Sequence, residues 1–232
     1  MSYSRLPSLP HVAKSIRSTV EGTVKQLHGL DRGVPPFSYD LSWRLAFKLY
    51  SGDISLEAAL EACRQQKVAL GAKCNSEVVE ILWREAQLAD YFCHPLKDRL
   101  FPIRRDLAIP VRPRFYFVKD GVVNLFWLQP WKDFDLTEEQ LGILASVIKQ
   151  TYVVDDFADA KLYLLDTSTE EKGGQRTAQV YGFDDLPILG DQALKTAFDR
   201  FATAYDIFTK ERKPKPDRKP PVEDSRQSRL FD

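Results

Sequence analysis

The stretch Arg112–Trp131, RPRFYFVKDGVVNLFWLQPW, decides how the chain folds. Two runs of aromatic and β-branched residues flank Lys119-Asp120-Gly121. Asp-Gly between such runs is a strong hairpin signal, because both residues tolerate the positive φ that a two-residue turn requires. Downstream, Thr137 stands just before Glu138, Glu139 and Gln140 in LTEEQLGILASVIKQTY, an N-terminal capping signature ahead of an amphipathic helix. AKLYLLDTS and RTAQVYGF then predict a second hairpin around TEEKGGQ. Residues 190–210 predict a closing helix, with Leu194, Phe198, Phe201 and Tyr205 on its inner side. The order ββαββα implies helices packed on an antiparallel sheet.

Upstream the pattern is helical. Leu41, Leu45 and Leu49 recur at the helical period in SYDLSWRLAFKLYSGD. Asp53 or Ser55 is the expected cap of the next helix, and Asn75 or Ser76 that of NSEVVEILWREAQLADYF. CHPLKDRLFP ends this region. Before it, residues 1–37 are rich in Ser, Pro and Gly, and a helix is expected over 11–28, with Val12, Ile16, Val20, Val24 and Leu27 on one side. After about Lys210 the composition turns charged and proline-rich, a segment that cannot offset its own ordering entropy. The fold class is therefore α+β: an N-terminal arm (1–37), a helical subdomain (38–96), a ββαββα antiparallel-sheet domain (97–209) and a disordered C-terminal tether (210–232).

Composition narrows the function. Hydrophobic content of 44% suits a chain that buries a real core, and 33 basic residues balance 33 acidic ones, so no global polyelectrolyte argument is open. No apolar run approaches the length of a membrane span, and MSYSRLPSLPHV has no apolar leader core, so a cytoplasmic protein is expected. Cys63, Cys74 and Cys93 lack CxxC spacing and read as free thiols. Cys93-His94 is the only Cys-His adjacency, and neighbours in sequence rarely supply two good zinc ligands, so no metal site is assigned.

GxSxG, HExxH, Walker and GxGxxG motifs are all absent, and His11, His28 and His94 offer little for acid–base chemistry. The reading favours a non-enzymatic protein without a cofactor. One enzymatic alternative remains. In VVDDFADAKLYLLDTS, Asp155 and Asp156 precede Asp159 and Lys161. This arrangement resembles the metal-dependent PD-(D/E)xK nucleases, which implies carboxylates converging on Mg²⁺ and a lysine beside the attacking water. The simpler reading is a solvated acidic loop.

Basic residues gather between Lys97 and Arg114, where Arg104, Arg105, Arg112 and Arg114 precede Phe115-Tyr116-Phe117. Cations beside aromatics can hold phosphates and stack bases, so nucleic-acid contact is an expectation there. Over residues 115–201 acidic side chains outnumber basic ones, and such a surface suits a protein partner better than a phosphate backbone.

The chain ends RQSRLFD. A tether that finishes in two large apolar side chains has the form of a short docking peptide. Gln227-Ser228-Arg229-Leu230-Phe231 resembles the pentapeptide by which replication and mismatch-repair proteins bind the bacterial DNA polymerase sliding clamp. Gln227, Ser228, Leu230 and Phe231 match that pattern, and Arg229 departs from its usual third residue. The resemblance implies that Gln227 hydrogen-bonds at one end of the clamp groove while Leu230 and Phe231 enter its apolar pocket. Three readings stand at this level: a non-enzymatic accessory or inhibitor (toxin or defence protein) of DNA replication and repair docked on the clamp, a divergent nuclease acting on DNA, and a protein–protein interaction module with an acidic face.

Overall fold

The computed structural model describes residues 7–32, 37–133, 136–169, 171 and 174–211 of the 232-residue chain. Gln227, Ser228, Leu230 and Phe231 lie outside the described residues.

The Asp-Gly hairpin forms as expected. Strands β4 (Phe115–Lys119) and β5 (Val122–Gln129) pair antiparallel with Lys119 opposite Val122, and Asp120 and Gly121 turn between them at φ of 53° and 75°. β4 pairs on its far side with the short edge strand β1 (Phe92–Pro95). β5 pairs on its far side with β6 (Lys161–Asp166), which carries β7 (Gln179–Tyr181) at the other edge, giving the order β1-β4-β5-β6-β7.

One expectation is corrected here: the sheet is mixed, because β5 and β6 run parallel. A parallel pair needs a crossover, and helix α6 (Glu138–Tyr152) supplies it. The capping box at its start is complete, with Gln140 N–H donating to Thr137 Oγ1 and Thr137 N–H to Gln140 Oε1.

Strand alternation sends alternate side chains to opposite faces of the sheet. Phe115 and Phe117 of β4, Phe126 and Leu128 of β5, and Leu165 of β6 form one core with helices α3 (Asp40–Tyr50), α4 (Leu56–Arg64) and α5 (Ala69–Ala86). Leu125 and Trp127 of β5 and Leu162 and Leu164 of β6 form the other, with α6, the N-terminal helices α1 (Leu9–Ser15) and α2 (Val20–Arg32), and the closing helix α7 (Asp191–Glu211). The result is three layers. The helices of residues 38–96 therefore share a core with the sheet instead of closing one of their own, and β1, inside that range, is a strand of the same sheet.

Three local expectations are also revised. The helix over 11–28 is two helices. After Ser15 the chain is extended at Ile16, and Thr19 restarts the helix by accepting from the Gly22 amide. Gln140 fixes this break from outside, its Nε2 donating to Lys14 O at 3.2 Å and Ile16 O at 3.0 Å. The basic segment after residue 97 is a second sheet of two strands, β2 (Arg99–Arg104) and β3 (Leu107–Val111), which packs Leu107, Ile109 and Val111 into the α6–α7 core. Finally, α5 begins at Ala69, so Asn75 lies inside the helix and caps nothing. Its buried amide cross-links α5 to α3, accepting from Ser42 and donating to Gly71 O at 2.9 Å and Ser38 O at 3.1 Å. Ser55, by contrast, caps α4 as expected.

Among the described residues no helix is long and apolar enough to cross a membrane.

Phe126 is fully buried, with its ring stacked 4.5 Å from that of Phe115. Phe126→Ala is expected to lower unfolding free energy by about 3–5 kcal/mol in urea titration. Phe92→Ala, at a position 69% exposed on the edge strand, is expected to change it by about 0.5 kcal/mol or less. Equal losses at both positions would contradict the central role assigned to β5.

Candidate binding cleft

Where β5 ends, the starts of α1 and α3 and the outer side of the β2–β3 hairpin meet around a cleft of about 820 Å³. Trp127, two residues before the end of β5, forms its floor and is nearly buried. Trp43 of α3 meets it edge-to-face at 5.7 Å. On the α1 side, His11 stands edge-on to Trp131 at 5.2 Å, with its Nδ1 2.7 Å from Ser8 Oγ. Burial, helped by the charge of Lys14, lowers the His11 pKa, so the ring is neutral at pH 7. Pro110 and Leu100 of the hairpin form the facing wall. Phe37 closes one end and sits directly on Gly71 of α5, where a Cβ would come within 2.8 Å of the Phe37 Cβ. A glycine is required at that contact.

Arg112 and Arg114 stand on the rim. Arg112 Nε lies 2.8 Å from Asp98, and Arg114 Nη2 2.9 Å from Asp40 Oδ1. The second oxygen of Asp40 faces Arg44 Nε at 3.2 Å. Arg114 has φ of 66°, inside a three-residue turn closed by the Phe115 amide donating to Pro113 O at 2.7 Å. A non-glycine residue held there costs backbone energy, which the pairing of β4 with β1 on one side and the Asp40 contact on the other sustain.

Behind the cleft lies a buried polar network at the ends of the parallel strands. Arg176, only 3% exposed, donates to Pro130 O and Thr167 O at 2.8 Å each, to Tyr39 Oη at 2.7 Å and to Glu77 at 3.1 Å. It therefore fastens the exits of β5 and β6 to α5 and to Tyr39 in the cleft wall. Beside it, Asp166 accepts from the Gln129 side-chain amide and from the Ser168 amide and hydroxyl. Burial raises the Asp166 pKa despite those bonds.

The structure divides the residues singled out from sequence. Arg112 and Arg114 reach the cleft. Arg104 and Arg105 sit at the opposite end of the hairpin, where Arg104 pairs bidentately with Asp206 of α7 at 2.6 Å and Arg105 is exposed in the turn. That ion pair clamps the hairpin to α7, so Arg104 is structural. Asp155, Asp156, Asp159 and Lys161 are all exposed, around a single 3₁₀ turn at the beginning of β6, the far end of the strand from the cleft. Among the described residues no three His, Cys, Asp or Glu side chains are grouped to hold a metal ion. Cys93 turns toward the α3–α5 core while His94 stacks on Tyr116 on the other face, so the two do not converge.

Sequence reading missed the aromatic walls and Arg176. A signal existed for Trp127, since alternation from Phe126 sends it to the opposite face. None existed for the meeting of His11, Trp43 and Trp131, which are brought together only by the packing of α1 and α3.

No protein-family model, curated protein or solved structure matches the chain.

Because its pKa is raised, Asp166 takes up a proton in the folded protein before it does so in the unfolded chain, whose reference value is 3.8. Its burial penalty is therefore full above the folded pKa and disappears as pH falls toward 3.8. Asp166→Asn preserves the acceptor for Gln129 and Ser168 and removes the charge. The variant is expected to be at least as stable as the parent at pH 7, and to lose that advantage as pH is lowered to about 4. Chemical denaturation of both proteins across this range checks the sign. A growing advantage for the variant at low pH would contradict it.

Proposed function

We propose that this protein is a non-enzymatic accessory or inhibitor of bacterial DNA replication and repair, an inhibitor of the toxin or defence type included, that docks on the polymerase sliding clamp through Gln227-Ser228-Arg229-Leu230-Phe231. The observation that carries the reading is this pentapeptide, which combines a hydrogen-bonding glutamine with an adjacent Leu-Phe pair in a segment otherwise charged and proline-rich. Such a pair gains from burial in a partner's pocket what it cannot gain among lysines, aspartates and prolines.

The folded part is compatible with a tethered binding role. α7 ends at Glu211, and fifteen residues separate it from Gln227. A chain of that length reaches at most about 50 Å, enough to keep the folded part clear of the clamp surface while linked to it. Five lysines and arginines fall between residues 212 and 219 against one aspartate, a charge balance suited to an acidic clamp face.

Fluorescence anisotropy of the full chain, and of a labelled peptide covering residues 219–232, against purified bacterial sliding clamp tests this. Micromolar binding is expected from both, corresponding to about −8 kcal/mol. The double substitution Leu230→Ala/Phe231→Ala is expected to weaken it at least about tenfold, since each side chain contributes about 1.5–3 kcal/mol on full burial, while the melting temperature is unchanged. Absence of binding by both peptide and full chain, or binding indifferent to the double substitution, would reject the clamp reading.

A further inference from the structure

From the cleft we infer a second binding activity, independent of clamp docking: the folded part holds single-stranded DNA, with unpaired bases against Trp131 and the backbone phosphate at Arg112 and Arg114.

Position comes first. The cleft opens at the carboxyl end of β5 beside its parallel neighbour, the general location at which α/β sheets receive ligands, because strands and the following helices diverge there. Its volume of about 820 Å³ falls in the usual range of ligand sites. A second recess of about 350 Å³ adjoins it, and Pro10, His11 and Trp131 belong to both. Trp131 thus stands as a partition between two successive hollows, an arrangement that suits a polymer with a flat group at each repeat.

The chemistry of the walls agrees. Trp43, Trp131, Tyr39 and the neutral His11 offer π surfaces without charge, and stacking on such surfaces accepts any base. The hairpin side presents Pro110, which has no amide to donate, so an extended peptide gains little there.

Charge decides the rest. Arg112 and Arg114 line the cleft against Asp40, and their ion-pair partners Asp98 and Arg44 cancel each other, which leaves an excess of one positive charge to match one phosphodiester. The existing pairs are about half exposed and are therefore weak, so exchanging a partner costs little. Asp40 is also guarded twice: when Arg114 turns to a phosphate, Arg44 still faces the carboxylate. The adjoining recess holds Lys14, Lys132 and Asp133, and because Lys132 also lies 3.4 Å from Glu77, it is Lys14 that carries the cationic line on along the strand's path.

The test is anisotropy of a fluorescein-labelled oligothymidylate of about ten nucleotides with the full-length protein, alongside a duplex of the same length and thymidine monophosphate as competitor. Single strand is expected to bind well ahead of duplex, with the monophosphate competing poorly because it fills one hollow only. Trp131→Ala is expected to weaken binding about tenfold. Arg112→Gln, a change at an exposed side chain that spares the fold, is expected to weaken it several-fold and to make the slope of log K against log salt shallower by about 0.7. Arg105→Gln, at the far end of the hairpin, and Leu230→Ala/Phe231→Ala are expected to bind as the parent does, which separates this activity from clamp docking. The inference is overturned by any of three results: no binding of the single strand, affinity that neither Trp131→Ala nor Arg112→Gln reduces, or duplex or monophosphate binding as tightly as the oligomer.

Discussion

The central constraint on this molecule is a strand that has no dry side to spare. From Leu125 to Gln129 every side chain of β5 is buried, so both faces of the sheet must be covered at that point. Phe126 and Leu128 demand one helical layer and Leu125 and Trp127 another. Each fully buried side chain of this size contributes about 1.5–3 kcal/mol, and neither layer alone recovers more than half of it. The parallel pairing with β6 follows from the same condition, since a crossover helix is the economical way to cover a face while returning the chain to the same edge. The three-layer arrangement is what β5 requires.

A strand buried on both faces creates a difficulty where it ends. Backbone groups released from the ladder at Gln129 and Asp166 still lie inside the protein and need partners. Thr167 N–H and Oγ1 both donate to Gln129 O at 3.0 Å, and the Arg176 guanidinium reaches Pro130 O and Thr167 O. Gln140 does the corresponding work at the start of α6, accepting from its own cap and donating to the carbonyls at the end of α1. Polar side chains placed to satisfy the sheet's exits thus also anchor α1 and Tyr39, the elements that wall the cleft. Architecture and site share one network, and removing Arg176 would leave Glu77, among the described residues, with Lys132 at 3.4 Å to balance it.

What could be read from sequence was what neighbours in sequence decide. Asp120-Gly121 predicts its hairpin because the φ values are intrinsic to those two residues, and Thr137 with Gln140 predicts a helix start because both partners lie within one turn. Asn75 misled for the same reason: asparagine is a good cap on local grounds, and only the approach of Ser42, 33 positions earlier, makes it a buried cross-link. The β2–β3 hairpin was hidden by Pro102 and Pro110, which argue against strands until one sees that this pair is a two-stranded sheet whose outer edges make no ladder. The cleft was least legible. Of the basic cluster, Arg104 and Arg112 lie eight positions apart, yet the hairpin sends one to an ion pair with α7 and the other to the rim. Charge and composition are identical for the two, and only the register of the hairpin separates their roles.

The two proposed activities make different demands on affinity. A docking peptide works alone and must supply its own binding free energy. A cleft tethered to an already docked peptide does not, because linkage turns its encounter into an intramolecular one at an effective concentration on the order of 1 mM. A site whose dissociation constant for single-stranded DNA is about 100 μM would then be about nine-tenths occupied wherever the clamp holds such a strand within reach. Half-exposed ion pairs that exchange partners readily, with aromatic walls indifferent to base identity, suit that regime better than a rigid, fully desolvated anion site. The rim of Arg112 and Arg114 has the character expected of a contact that must form and break repeatedly along a moving strand.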